Sequence, residues 1–497
     1  MIKKTAILTL SAVLASQLMG ADDLSEMFKE GKAGGYIRIH HIEPAFSDTI
    51  AATGSVIGGK LKYQTGALYG LRFGAAMYTT HDTGLTKWDY KTKDGYSQVA
   101  QGLLGDEMEN YSTLGEAYAS YHLSNTDLTY GRQEFKTPMT ENAVTIIPNL
   151  FEGTVATIKE IPDVTITAAH ILRMQYGTRA ATDQNLIGDS AYGITAGAGL
   201  GLVSPSIPAG STTGTITNLT SVYGKENFQE MGVATFGNAG TVNSMNTLGV
   251  TTLGIDYAKS GLKARVWDYY AHEMYNTIYG DVEYKMDAGI AKVTLGAQLL
   301  KQNDIGNFAT SAGGIELTKI RNVVPLTSAT PIYQTKISSD GHIDAMLWGL
   351  QAKADVGSFS FMAAYNQNND GHIISAWGGD PAYTSMIFAR NEYRADTTAY
   401  KFGGEYDFSN LGVPGLKFSI HHAAYDTDVQ KWTGTVNAVG GTIGAVRNEQ
   451  TAVEDFVLHY AVPSVKGLWF RIFHEERDNG TRQYDMSHTR LIANLSF

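Results

Sequence analysis

The sequence predicts an all-β fold: a transmembrane antiparallel β-barrel of about 18 strands, with short periplasmic turns and long extracellular loops. Three observations predict it. Segments of about ten residues alternate apolar and polar side chains, the period-two pattern of a strand with one apolar face. Short and long connections alternate between those segments, as they do in bacterial barrels. The chain opens on an export leader, and no later stretch offers 18 consecutive apolar residues for a membrane helix.

The leader comes first. Lys3 and Lys4 form a positive start, Thr5 to Leu18 are mostly apolar, and Gly20 and Ala21 supply a small-residue cleavage zone. Residues 1–20 therefore read as a signal peptide, too short in its apolar run to span a bilayer. Its removal takes two lysines off a net charge of -11 and leaves -13. Residues 21–33 read as a short periplasmic N-terminal segment, with a brief helix from Asp23 to Glu30 ended by Gly31. Residues 34–497 form one barrel domain. An exported chain without membrane helices is either soluble or a closed barrel, since only helices and closed barrels satisfy every backbone group in lipid.

Strands are expected near 34–42, 53–63, 67–82, 114–123, 126–136, 153–160, 164–176, 247–259, 262–273, 275–286, 291–303, 342–355, 359–369, 397–408, 416–426, 453–462, 466–477 and 488–497. The last is the clearest: Leu491, Ala493, Leu495 and Phe497 alternate with Arg490, Ile492, Asn494 and Ser496. In the third, Leu71, Phe73, Ala75 and Met77 oppose Arg72, Gly74, Ala76 and Tyr78. The polar faces mix Arg, Glu, Tyr, Gly and Ser, which suits a wet lumen better than the Lys- and Glu-rich outer face of a soluble sandwich. The even number of crossings makes 177–246 a single extracellular loop. Phe497, with alternating apolar residues before it, resembles the signal by which the barrel assembly machinery recognises its clients.

Composition agrees. The 497 residues include 54 Gly, 28 Tyr and no Cys, and only 18% are charged, as expected where half of each strand faces lipid. The absence of Cys removes disulfides, thiolate zinc sites and thiol nucleophiles. An acidic chain makes a nucleic-acid partner a poor fit. Neither H-E-x-x-H spacing nor a nucleophile elbow nor a P-loop occurs, so no enzyme reading stands. His40 and His41, and His421 and His422, are neighbours on strands and point to opposite faces, so no metal is assigned to them. No cofactor is expected, though oxygen-rich loop stretches such as Asn366 to Asp370 and Asp478 to Asn479 would suit a loop Ca²⁺.

The stretch from Gly115 to Gly153 carries a family signature. Its elements are Gly115, Glu116, Ala117 and Tyr118; Leu128 with Gly131, Arg132 and Gln133; Thr137 and Pro138; and Pro148 and Asn149 with Phe151, Glu152 and Gly153. The turn Leu411 to Leu416 and the closing hairpin, Val465 to Leu468 with Arg490 to Ile492, add two further islands. Together they resemble the OprD-type outer-membrane porins, also called outer-membrane carboxylate channels. The resemblance implies an 18-stranded barrel, inward-folded loops and passive uptake of amino acids, carboxylates or small peptides across a Gram-negative outer membrane. Where the family pattern has an Arg that helps build a basic ladder in the pore, this chain has Thr145.

Pro138 and Pro148 cannot sit inside a central strand, so 137–152 is expected to fold into the lumen as a constriction loop, with Pro138, Thr145 and Pro148 as its markers. Selectivity would come from charged side chains at the narrow part. Alternation and the cost of a charge in lipid nominate Arg38, Arg72, Glu116, Tyr118, Arg132, Glu134, Arg173, Arg265, Arg471 and Arg490 as lumen residues, with Arg132 facing Glu116. Aromatic residues near strand ends, among them Trp267, Trp348, Tyr365, Tyr406 and Trp469, are expected in interfacial girdles. The partners are small polar solutes, outer-membrane lipid and the assembly machinery, and the protein is a monomer or a homotrimer. The alternative function is a weakly selective general porin that doubles as a surface protein or adhesin.

Overall fold

The computed structural model describes residues 21–46, 53–86, 103–105, 109–141, 145–178, 227–236, 242–246, 248–305, 332–335, 344–369, 377–387, 391–433, 442–478 and 486–497, with Gly371, Ile373 and Ala389. The leader, residues 1–20, lies outside them. Among the described residues no helix is long and apolar enough to cross a membrane.

The wall is built from β1 (Lys32–Phe46), β2 (Gly54–Gln64), β3 (Leu71–Asp82), β4 (Tyr111–Leu123), β5 (Thr126–Gln133), β6 (Leu150–Ile158), β7 (Val164–Gln175), β8 (Val250–Lys259) and β9 (Leu262–Ala271). It continues with β10 (Tyr275–Ala288), β11 (Ala291–Asp304), β12 (Asp344–Val356), β13 (Phe359–Asn368), β14 (Thr397–Asp407), β15 (Leu416–Thr433), β16 (Thr442–Ala461), β17 (Leu468–Asp478) and β18 (Met486–Ser496). Each strand pairs antiparallel with the next, and β1 closes on β18 from Tyr36 opposite Ser496 to Phe46 opposite Met486. Closure leaves no edge, so every ladder group is satisfied without water. All 18 expected strands are present.

Alternation sorts the two faces. On β3, Leu71, Phe73 and Met77 are exposed while Gly74, Ala76 and Tyr78 are buried. On β9, Val266 is exposed while Trp267, Tyr269 and Ala271 are buried. The apolar, exposed set faces lipid and the other set faces the bore. Short reversals at one end, such as Ser124–Asn125 and Ser260–Gly261, use residues with positive φ (Ser124 57°, Ser260 50°, Gly261 87°). At Gly261 the added strain of a side chain would come with a clash against the Lys285 carbonyl.

Two details differ from expectation. β15 and β16 run on as one long hairpin, pairing Thr427 with Glu449 and Thr433 with Thr442. Within 177–246, Gly232–Phe236 and Val242–Asn246 pair only with each other, outside the wall.

α1 (Leu24–Lys29) precedes β1, and the Asp23 side chain caps it by accepting from the Glu26 amide at 2.8 Å. Phe497 ends the wall by exchanging two 3.0 Å backbone bonds with Gly35.

Candidate functional site

The bore is narrowed by two stretches of chain. The first, residues 134–149, joins β5 to β6; β6 begins at Leu150, three residues earlier than expected. The Tyr36 hydroxyl on β1 donates to the Ile146 carbonyl at 2.7 Å, and Arg38 Nη1 donates to the Thr145 carbonyl. Ile146 and Ile147 are fully buried against Val56, Ala76 and Tyr78 of the inner wall. The Thr145 hydroxyl lies 2.8 Å from that of Thr178, which also accepts from the Ile147 amide at 2.8 Å. On the far side, the Met139 amide reaches the Tyr269 hydroxyl on β9 at 3.4 Å. Pro138 and Pro148 lie in tight backbone crossings, where a side chain added at Gly379 or Gly177 would strike them.

The second stretch, between β13 and β14, meets the first. The Gly379 amide donates to the Met139 carbonyl at 3.0 Å, and Asn149 Nδ2 donates to the Trp377 carbonyl at 3.0 Å. Trp377 packs on Tyr275 and Tyr269, ring centroids 5.8 Å from each. Asn366 and Asn368 pin this stretch: Asn366 Oδ1 accepts from the Thr384 amide at 3.0 Å, and Asn368 Nδ2 donates to the Arg394 carbonyl at 2.8 Å. Those amides, nominated for Ca²⁺, are engaged with backbone; Asp370 and Asn479 lie outside the described residues. Burial and the nearby Asp380 push the Glu392 carboxyl of this stretch well above the usual carboxylate range.

Beneath the first stretch lies a cavity of about 400 Å³ lined by Lys60, Lys62, Arg72, Glu116, Asp127 and Glu134 among others. Lys60 Nζ sits 2.5 Å from Glu116 and 2.7 Å from Glu134, and Lys62 sits 2.6 Å from the other Glu116 oxygen. The Tyr78 hydroxyl lies 2.7 Å from Glu116 and 2.8 Å from Glu134, so its single proton serves one at a time. Burial pushes the Glu134 carboxyl up, but the Lys60 ammonium, with Tyr78 and Lys136, outweighs it and holds the group down at about 2. Arg72 is loosely paired with Asp127 at 3.8 Å, and Lys62 lies 5.0 Å from the Tyr118 ring centroid. Arg72, Glu116, Tyr118 and Glu134 thus come together here.

Arg38, Arg471 and Arg490 lie on the inner faces of β1, β17 and β18. Arg38 Nε donates to Asn494 at 3.0 Å, and Arg471 Nε donates to His459 Nδ1 at 3.1 Å. Both guanidiniums lie against Trp469, 5.6 and 5.0 Å from its centroid. Arg490 Nε donates to His488 at 3.1 Å. Across the barrel, Arg265 grips Asp281 through two 2.8 Å bonds.

Arg132 and Arg173 do not belong to this group. Arg132 shares a face with Leu128 (46% exposed) and Tyr130 (63%), whereas Asp127, Thr129 and Gln133 line the cavity. Arg132 pairs with Glu152 at 3.0 Å, not with Glu116, and Glu152 also holds Arg173 at 3.4 Å through a bulged register. Both arginines are on the outer face, above Tyr130, where a charge costs only about 0–1 kcal/mol. Trp267 and Trp469 likewise face inward rather than forming a girdle: Trp267 stacks on Tyr269 and donates to Asp256 at 3.2 Å. In the girdle, Tyr365 contacts Trp348 on one side and Tyr400 on the other, ring centroids 5.2 Å away in each case. The sequence reading missed Lys60, Lys62 and Asp281, although parity against Leu61, Tyr63 and Val282 marks each as inward.

A closed wall with a lipid-facing exterior, an ionic bore and chain folded into that bore defines an outer-membrane channel protein. The sequence model of the outer membrane porin, OprD family, matches residues 73–196 and 198–497. The chain belongs to the OprD family: a passive channel for small solutes in a Gram-negative outer membrane, and not an enzyme. Solved structures from Pseudomonas aeruginosa share the fold. OpdK with vanillate has a TM-score of 0.65 at 15% identity, covering 95% of this chain and 99% of that one. OccK8 (OprE) has 0.65 at 16%, covering 95% and 99%. OccK3 (OpdO) has 0.62 at 16%, covering 95% and 97%. No curated protein sequence matches the chain.

Proposed function

We propose that the channel favours small anionic solutes, carboxylates above all, and that Arg38 and Arg471 are its recognition cations. One contrast carries this reading. Among the described residues, Lys60, Lys62, Arg265 and Lys417 each sit within 2.8 Å of a carboxylate, while Arg38 and Arg471 pair only with neutral groups. A neutralised cation shapes the wall; one without a carboxylate partner sets the local field on a permeating ion. Trp469 between the two guanidiniums adds a flat apolar surface, which suits an aromatic or short aliphatic carboxylate. The vanillate in the OpdK structure is a solute of that kind. Asp256, on a strand about halfway round the closed order, would orient the positive end of an amino acid. We read Phe497, exposed on the outward row of Leu491 and Leu495, as the assembly signal.

Planar-bilayer recording tests the reading. Reversal potentials under a salt gradient should show anion preference, and millimolar vanillate or benzoate should block the current. Arg471→Ala should weaken both. A channel with no ion preference and no carboxylate block is a general porin, and the proposal fails.

A further inference from the structure

α1 has an apolar face that nothing in the protein covers. Leu24 and Phe28, four residues apart and so stacked on one side, are 60% and 54% exposed, while Met27 on the adjacent side is fully buried. The helix is fastened at the periplasmic end of the wall. The Ala21 amide donates to the Ala67 carbonyl at 2.8 Å, and the Gly66 amide donates to the Met27 carbonyl at 2.8 Å, both across the β2–β3 connection. The decisive contact is a third one: the Tyr63 hydroxyl donates to the Phe28 carbonyl. Tyr63 belongs to the outward row of β2, with Ile57 and Leu61, and not to the row of Lys60 and Lys62 that faces the bore.

The chain therefore leaves α1 by crossing the outside of the wall. Gly31 makes that crossing possible, because a side chain there would collide with the Tyr63 ring and hydroxyl. Beside it, exposed Tyr69, Leu71, Phe73 and Phe497 continue the apolar surface along the same end of the barrel. Glu26 projects from the helix face opposite Leu24 and is half-buried, its carboxylate accepting from the Asp22 amide at 2.7 Å.

We infer that α1 is an interfacial anchor, seated with Leu24 and Phe28 in the headgroup–acyl boundary of the periplasmic leaflet. This rests on the outer-membrane placement of the barrel but not on what the pore carries. An apolar helix face continuous with a lipid-facing aromatic row is the arrangement by which short amphipathic helices lie in a membrane interface. The occupant is lipid, since the surface it continues is already lipid-facing.

The chain has no Cys, so a single introduced thiol can be spin-labelled without background. Leu24→Cys, Phe28→Cys and Glu26→Cys proteins, each labelled with a nitroxide and reconstituted in phosphatidylethanolamine–phosphatidylglycerol vesicles, would be compared for collision with oxygen and with a water-soluble nickel chelate. Labels at 24 and 28 should favour oxygen several-fold over nickel, and the label at 26 should show the reverse. Equal nickel access at all three positions would overturn the inference. So would oxygen preference at 24 and 28 that persists in a soluble amphipol without lipid, because the face would then be covered by protein. Leu24 and Phe28 are exposed and Glu26 is half-buried, and resistance of the folded barrel to unfolding in cold detergent confirms that each variant is intact before measurement.

Discussion

Arg38 Nη1 donates to the backbone carbonyl of Thr145, so a wall strand holds the inward loop by a charged donor rather than by a side-chain pair. The Thr145 hydroxyl itself turns away to Thr178 at 2.8 Å. The cation at this level is supplied by the wall. Arg38→Ala removes bonds from a charged donor that contribute ~1.5–3 kcal/mol each in typical cases. The loop should become looser and the pore less anion-preferring. Single-channel recording should show higher conductance, more current noise and a reversal potential shifted toward zero. Unchanged conductance would mean that Tyr36 and Thr178 hold the loop alone.

Arg132→Ala makes the opposite case. The side chain lies on the outer face with Glu152 and Arg173, and its 3.0 Å pair is partly exposed. Exposed pairs contribute ~0–1 kcal/mol. Conductance and ion preference should match the unmodified protein, and the unfolding temperature should fall by no more than a few degrees. A change in reversal potential would return Arg132 to the lumen.

The pH dependence of the Lys60–Glu134 tie follows from a carboxyl held at about 2, below its value of ~4.3 in an unfolded chain. The unfolded chain takes up the proton first, so the tie contributes its full stability above pH ~4.3 and loses it progressively as pH falls toward 2. Thermal unfolding between pH 7 and 5 should therefore show no pH dependence from this pair. Between pH 4.5 and 2.5 the unmodified protein should lose stability that Glu134→Gln does not lose. Parallel curves for the two proteins would remove Glu134 from the acid response.

Much of this architecture is legible because lipid imposes a strict pattern. Leu491, Leu495 and Phe497 must face outward, and Arg490, Ile492 and Asn494 follow from parity alone. The sites were harder to read for physical reasons. The expectation for Arg132 weighed the cost of a charge in hydrocarbon above its parity with Leu128 and Tyr130, but beyond the Tyr130 girdle that cost has vanished. Which cations lack a carboxylate depends on partners far apart in sequence: Lys60 meets Glu134 across 74 residues, and Arg38 meets Asn494 across 456. No local spacing encodes such pairs. The second inward stretch carries Trp377 and Gly379, whose burial arises only when it meets Tyr269, Tyr275 and Met139.

Arg265 and Asp281 give the sharpest separation of structure from selectivity. They form a two-point pair at 2.8 Å on adjacent strands, with the Asp281 side chain 4% exposed and that of Arg265 41% exposed. Removing one partner of a fully buried pair costs ~3–5 kcal/mol because a charge is left without compensation. Here the bore's water screens the arginine side, so Arg265→Ala should cost less, ~1–3 kcal/mol. Asp281→Asn should cost less again, since the freed guanidinium can reach water and Asp256. The double variant should then lie closer to the unmodified protein than the two single effects added together, the signature of a direct pair. Ion preference should move in opposite directions: Arg265→Ala leaves Asp281 uncompensated and weakens anion preference, while Asp281→Asn frees a cation and strengthens it. Melting curves in detergent and reversal potentials in bilayers read the two quantities independently. Additive stabilities with opposite selectivity shifts would mean that the two residues act on permeating ions separately and do not support each other.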